Sequence, residues 1–179
     1  MNIWKIINVD RDYGTTRIIL LSVLTGVLTF SFTYVLFGLI RQITYTDEAI
    51  YWFILGALFI YPAHKLVHYL CLIDYTKNMK LKLRFKFNFY PILHIKIKKL
   101  VPKYRYLFSL IAPFIFLNCL FASGALLTPQ FAHYFSIYIG IHCTMCLIDL
   151  LNVKYMIKAP HRACIEETPK GYEVLVPFQ

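Results

Sequence analysis

Two histidines four residues apart, His64 and His68, interrupt a long apolar run of the sequence. On a helix, residues i and i+4 lie on one face with Cβ atoms about 5 to 6 Å apart, so both imidazoles can bind one metal ion. A carboxylate, Asp149, interrupts a later apolar run. Two histidines and one carboxylate make a ligand set for zinc that leaves a fourth position for water. These three residues therefore predict a metal site.

The positions of the three residues predict that they lie at a similar depth in a membrane. His64 and His68 lie ten and six residues before Asp74, where their apolar run ends, and Asp149 lies five residues before Lys154. Two helices that leave the membrane on the same side would place all three side chains about 8 to 15 Å below that surface. Ionisable residues inside a membrane span are costly and usually functional.

Apolar segments account for most of the chain. Of its 179 residues, 59% are hydrophobic and 16% charged, which excludes intrinsic disorder and argues against a water-soluble globule. A transmembrane helix needs about 20 consecutive apolar residues. Four runs meet that length, at residues 18–40, 49–73, 107–127 and 131–153. We expect an all-α polytopic membrane protein, with residues 1–179 forming a single integral membrane domain.

The distribution of basic residues predicts the orientation of the chain. The sequence has 19 lysines and arginines against 9 acidic residues. Most of the basic residues lie at the N-terminus, between the second and third spans, and in the last part of the chain, where we expect a cytoplasmic tail at residues 158–179. The positive-inside rule predicts a multi-pass protein of the cell membrane with both termini cytoplasmic. Anionic lipid headgroups, and not nucleic acid, are then the expected partners of these charges.

The segment between the second and third spans has its own pattern. Apolar and basic residues alternate from Met79 to Phe89 and again around Ile95, with Pro91 between the two stretches. A period of two residues is typical of a strand with one apolar and one cationic face. We expect a small β-hairpin at residues 79–99, lying on anionic lipid. The alternative is that its free edge pairs with an extended peptide of a partner protein.

A second set of metal-binding residue types lies in the fourth span. His142, Cys146 and Asp149 share a helical face, and Cys71 extends the face of His64 and His68 in the same way. A thiolate could join imidazoles in a mixed zinc or copper site. A cysteine inside a membrane span is more often a small core residue. The five cysteines show no repeated spacing, so no disulfide framework is predicted.

The sequence resembles the bacterial putative membrane zincin-peptidase family, a family of unknown function that is distantly similar to site-2 proteases. The resemblance covers most of the chain. It depends on the histidine pair, the basic β-like segment, Ala112-Pro113-Phe114, Asp149, Ala159-Pro160 and Gly171-Tyr172-Glu173-Val174. It implies a metallopeptidase-like membrane protein with zinc as cofactor and His64, His68 and Asp149 as the metal ligands.

Lys65 departs from the pattern of that family. In H-E-x-x-H the glutamate after the first histidine acts as the general base, and this chain has Lys65 in that catalytic position. An ammonium group is repelled by a dication and cannot accept a proton. A neutral, desolvated lysine could act as the base, or the base could come from elsewhere, with Glu166 and Glu167 as the nearest candidates in the tail. We expect a metal-binding but catalytically impaired member, a pseudoenzyme.

An alternative without metal is also open. Lys65 would form a buried ion pair with Asp149, while the histidines form hydrogen bonds within the bundle. The protein would then be a non-catalytic membrane adaptor that binds a segment of a partner protein. Zinc content discriminates between the two hypotheses.

Overall fold

Four long helices form a bundle in the computed structural model. A short helix, α1 (Val9–Tyr13), precedes them. The long helices are α2 (Thr15–Ile40), α3 (Ile50–Cys71), α4 (Lys103–Leu127) and α5 (Ala132–Met156). All four are long and apolar enough to cross a membrane, which confirms the predicted fold class. The structure describes residues 1–40, 44–78, 80–86, 90–96, 100–168 and 171–177, without the side chains of residues 76–99.

The outer faces of the helices carry large apolar side chains. Leu39 is 79% exposed and Trp52 is 75% exposed, and similar side chains cover much of α2 and α3. Exposed apolar area on this scale is unfavourable in water and is typical of a surface covered by lipid. The outer surface is therefore compatible with a lipid bilayer.

Two glycines allow α2 and α5 to pack closely. A Cβ atom placed on Gly140 would lie 2.9 Å from the carbonyl oxygen of Gly26 and 2.9 Å from Cβ of Phe30. Any larger side chain at either glycine would therefore push the two backbones apart. Small residues allow this close approach between transmembrane helices. The contact fixes the position of α5, the helix that carries Asp149.

A four-stranded antiparallel sheet covers one end of the bundle. It consists of β1 (Asn2–Ile7), β4 (Val101–Pro102), β5 (Cys164–Thr168) and β6 (Gly171–Val176), in the order β1-β6-β5-β4. Its buried side chains pack on the helix ends in a core that includes Ile7, Val101, Ile165, Val174, Leu110 and Met156. Because β1 pairs with β6, both termini lie at this end. The sequence pattern does not predict this sheet, and most of β5 and β6 lies where only a tail is expected.

The predicted hairpin between the second and third spans is present. Strand β2 (Lys80–Lys86) pairs with β3 (Tyr90–Lys96) in antiparallel orientation. In this register Leu83 is opposite Leu93 and Lys82 is opposite His94. The other predicted strand residues, at positions 79, 87–89 and 97–99, lie outside the described residues. Contact of the hairpin with lipid or with a peptide stays a prediction.

Lys103 joins the start of α4 to the end of α5. Its side chain is only 5% exposed. Its Nζ donates hydrogen bonds to the carbonyl oxygens of Ile157, at 2.8 Å, and Ala159. The last carbonyls of a helix lack intrahelical partners and carry partial negative charge, so a lysine ammonium stabilises them.

We expect Lys103→Met to destabilise the protein by about 3 kcal/mol, because it removes hydrogen bonds from a charged donor and leaves the buried Ala159 carbonyl and the partly buried Ile157 carbonyl without them. The melting temperature in detergent should fall by roughly 6 to 12 °C. Lys158→Met is the control, since Lys158 is an exposed lysine just after the end of α5. Equal melting temperatures for the two variants would contradict the role assigned to Lys103.

Candidate metal centre

The structure brings His64, His68 and Asp149 together between α3 and α5. Oδ2 of Asp149 lies 3.0 Å from Nε2 of His64 and 3.4 Å from Nε2 of His68. The two Nε2 atoms are 3.0 Å apart. A tetrahedral ion with bonds of about 2.0 to 2.1 Å holds its ligand atoms about 3.3 Å apart. The spacing of the three atoms therefore fits a single ion between them.

A backbone carbonyl of α4 orients His68. Nδ1 of His68 lies 2.8 Å from the carbonyl oxygen of Ser109, in a buried contact. A carbonyl oxygen only accepts hydrogen bonds, so in the neutral imidazole the hydrogen is on Nδ1 and donates to Ser109. Nε2 then has its lone pair directed toward Asp149. This is the tautomer that a metal ligand requires.

Pro113 makes the Ser109 carbonyl available to His68. In an α-helix the carbonyl of residue 109 accepts the backbone N–H of residue 113. Residue 113 is a proline, which has no N–H. The Ser109 carbonyl therefore has no regular helical donor, and the imidazole of His68 supplies one.

A second chain of contacts orients His64. Nδ1 of His64 lies 3.2 Å from Nε2 of His142, and Nδ1 of His142 lies 3.0 Å from Oδ1 of Asn118. The Asn118 amide is oriented by its Nδ2, which donates to Sγ of Cys143 at 3.6 Å. His142 thus donates to Asn118 from Nδ1 and accepts from Nδ1 of His64 at its Nε2. Nε2 of His64 keeps a lone pair toward Asp149.

These contacts leave a site with three acceptors. The Nε2 lone pairs of His64 and His68 and the Asp149 carboxylate converge within 3.0 to 3.4 Å, with no hydrogen between them in these tautomers. Three lone-pair groups at this distance repel one another unless a proton or a metal cation lies between them. Imidazole nitrogen and carboxylate oxygen are both zinc ligands. The residues present therefore fit zinc.

The ion pair of the metal-free alternative is not formed. Asp149 contacts the two histidines, and the ion pairs among described residues include none between Lys65 and Asp149. Lys65 has a half-buried side chain next to His64. The Lys65 ammonium is close enough to interact electrostatically with the His64 imidazole and with the Glu167 carboxylate.

Strand β5 brings one of the two candidate tail carboxylates toward the histidines. Lys65 and His68 both act electrostatically on the Glu167 carboxylate, but burial has the larger effect and raises the pKa of Glu167 to about 7. Glu167 is opposite Tyr172 in the sheet, and the ring of Tyr172 packs against Tyr106 of α4. Adjacent strand residues point to opposite faces, so Glu166 is directed away from the side that Glu167 occupies.

A model of one protein family matches residues 57–164, more than half of the chain. The family is described as "Putative zincin peptidase". The chain belongs to this family. The matched segment of the zincin peptidase family contains the histidine pair, Asp149, and also His142 and Asn118. No curated protein and no solved structure matches the chain.

Sequence reasoning missed the groups that orient the histidines. Asn118 is the single amide side chain of the third span, and that rarity is the signal that could have identified it. For Ser109 the functional group is the backbone carbonyl, which has no signature in its residue type. Cys71 is half-buried and is not in either of the metal-binding groups among the described residues.

Pro113→Ala is expected to weaken zinc binding by about 10- to 100-fold, the usual effect of losing a group that orients a ligand. The new N–H at position 113 would donate to the Ser109 carbonyl and compete with Nδ1 of His68. Competition with a zinc-binding dye measures the change. Ser109→Ala is the control, because it keeps both the backbone carbonyl and the proline. An equal loss of zinc affinity in the two variants would contradict the role assigned to Pro113.

Proposed function

We propose that the protein is a zinc-binding integral membrane protein of the zincin peptidase family, with His64, His68 and Asp149 as ligands and with impaired peptidase activity. The observation that carries the proposal is the convergence of Nε2 of His64, Nε2 of His68 and Oδ2 of Asp149 within 3.0 to 3.4 Å. Bound zinc supplies Lewis acidity, which polarises a carbonyl and activates water.

The impairment follows from the residue next to His64. The family motif requires a carboxylate at that position to accept a proton. Lys65 puts a positive charge there and offers no acceptor while it is protonated. Lys65 and His68 both interact electrostatically with the Glu167 carboxylate. Glu167 is therefore the residue that would accept the proton in any residual peptidase activity.

The orientation proposed for the chain puts the metal centre near the cytoplasm. Both termini and the end of α3 lie at the end of the bundle that the sheet covers. His68 and His64 lie three and seven residues before the last residue of α3, so the centre is about 5 to 10 Å inside that helix end. The basic residues of this end favour the cytoplasmic side of the cell membrane and contact with anionic lipid.

Metal analysis of the purified protein tests the proposal. After removal of loosely held metal, we expect about one zinc ion per chain in the wild type and none in His64→Ala. His133→Ala is the matched control, because His133 is also in α5 and also contacts a carboxylate, that of Asp47, at 3.5 Å. A wild type with no more zinc than His64→Ala would overturn the proposal.

A further inference from the structure

A second group of ligand atoms lies on the other side of the His64 ring. Nδ1 of His64 is 3.2 Å from Nε2 of His142, and Sγ of Cys146 is 3.3 Å from that Nε2 and 3.9 Å from Nδ1 of His64. These three atoms lie within 4.8 Å of one another. His64, His142 and Cys146 are each at most 2% exposed. The group is therefore a closed, buried cluster of two imidazoles and a thiol.

The distances fit one metal ion. Zinc-type bonds of about 2.0 to 2.1 Å to nitrogen and about 2.3 Å to sulfur place two nitrogens about 3.3 Å apart and nitrogen and sulfur about 3.6 Å apart. The separations in the cluster lie on both sides of these values. Hydrogen bonds alone account for these contacts less completely. Nε2 of His142 has one lone pair but faces two possible donors, the Cys146 thiol and Nδ1 of His64.

His142 is already in the tautomer that this second ion needs. Its Nδ1 donates to Oδ1 of Asn118 at 3.0 Å, which leaves the Nε2 lone pair directed into the cluster. Asn118 is held in turn by its contact with Cys143. The same hydrogen bond that supports His64 in the first site therefore prepares His142 as a ligand in the second.

The types of ligand indicate which ions the cluster selects. A thiolate with two imidazoles favours soft cations such as Cd²⁺ and Cu⁺. The site formed by His64, His68 and Asp149 includes a hard carboxylate oxygen and needs no deprotonated thiol. Zinc is expected to prefer that site, and soft cations the cluster that contains Cys146.

We propose that His64, His142 and Cys146 form a second metal site, specific for soft cations, that is filled as an alternative to the first. A neutral imidazole has one nitrogen lone pair, so His64 can serve only one of the two sites at a time. His64 binds through Nδ1, so the hydrogen that Nδ1 donates to His142 in the first arrangement moves to Nε2. Cys146 binds as the thiolate, and its proton is released to solvent. A soft cation thus removes the Nε2 lone pair of His64 from the first site and displaces zinc. The proposal requires the side chain of His64 to be shared, but it does not depend on zinc occupying the first site.

Titration of the purified protein with Cd²⁺ tests the second site, since bound cadmium gives an ultraviolet thiolate-to-metal absorption. We expect about one thiolate-bound cadmium per chain in the wild type and in Asp149→Asn. Cys146→Ser and Cys146→Ala should lose the absorption but keep zinc in the first site. His64→Ala should lose both ions. Cys143→Ser is the matched control and should keep the absorption, because the serine hydroxyl oxygen still accepts a hydrogen bond from Nδ2 of Asn118.

The outcomes separate this proposal from the proposed function. An absorption that persists in both Cys146 variants, or that is absent from Asp149→Asn, overturns the second site whatever the zinc result. Cadmium bound through Cys146 by a wild type that holds no zinc overturns the proposed function and leaves the second site. A wild type that retains its zinc stoichiometry while fully loaded with cadmium would show that the two sites are not alternatives.

Discussion

Lys65→Glu is expected to cleave peptide bonds at a rate at least about 100-fold above that of the wild type, because a positioned general base contributes about 10²- to 10⁴-fold. The substitution puts a carboxylate immediately after His64, where the H-E-x-x-H motif has its proton acceptor. It also removes a positive charge that acts on His64. Cleavage of a fluorogenic peptide library, presented in liposomes that contain the variant, measures the gain.

Lys65→Gln is the matched control for this variant. Glutamine has the length of glutamate and removes the lysine charge, but it cannot accept a proton as a carboxylate does. Cleavage by Lys65→Glu and not by Lys65→Gln would indicate that the base alone is missing. Equal activity of the two variants, or none in a zinc-loaded Lys65→Glu, would contradict the explanation given for the impairment.

Asp149→Asn is expected to weaken zinc binding by more than about 100-fold, since groups that only orient ligands already account for about 10- to 100-fold. An amide oxygen in place of the carboxylate leaves the two imidazoles without a charged partner at 3.0 and 3.4 Å. Asp47→Asn is the control, because Asp47 also lies beside a histidine, His133, but at another site. Competition with a zinc-binding dye compares the two.

Equal zinc affinity in the wild type and Asp149→Asn would show that the carboxylate is not a ligand. Equal losses in Asp149→Asn and Asp47→Asn would show that the loss follows from general destabilisation. The expected result is a loss confined to Asp149→Asn.

The transmembrane part of the fold could be predicted because its signal is local. Each span is a predominantly apolar run of the length that a bilayer requires, and the described part of the chain contains four helices of this kind. The sheet gave no such signal. One of its strands, Val101–Pro102, has two residues, and the strand at Asn2–Ile7 finds its partner at the opposite terminus of the chain. Pairings between distant segments of this kind cannot be read from a local pattern.

The sequence predicts that His64, His68 and Asp149 lie close together, and the structure places them within contact of one another. Their role as zinc ligands stays a prediction, and the sequence does not predict the groups that orient the two rings. The i, i+4 spacing of His64 and His68 places both side chains on one face of the helix. The distance of Asp149 from the end of its apolar run predicts that it lies at the same depth in the membrane as the two histidines. The tautomer of each ring depends on packing between helices: a carbonyl of α4 for His68 and the Asn118 side chain for His142. Pro113 is part of the sequence motif on which the family resemblance depends. Its effect, which is to leave the Ser109 carbonyl without a helical donor, is visible only in the structure, where His68 lies against that carbonyl.

Zinc K-edge X-ray absorption of the purified wild-type protein tests the central claim most directly. Our account predicts a shell of nitrogen and oxygen at about 2.0 to 2.1 Å that includes two imidazoles and no sulfur at about 2.3 Å. In His68→Ala loaded with excess zinc, one imidazole contribution should be lost. Absence of bound zinc, or a shell containing sulfur in the wild type, would contradict the assignment of His64, His68 and Asp149 as the zinc ligands.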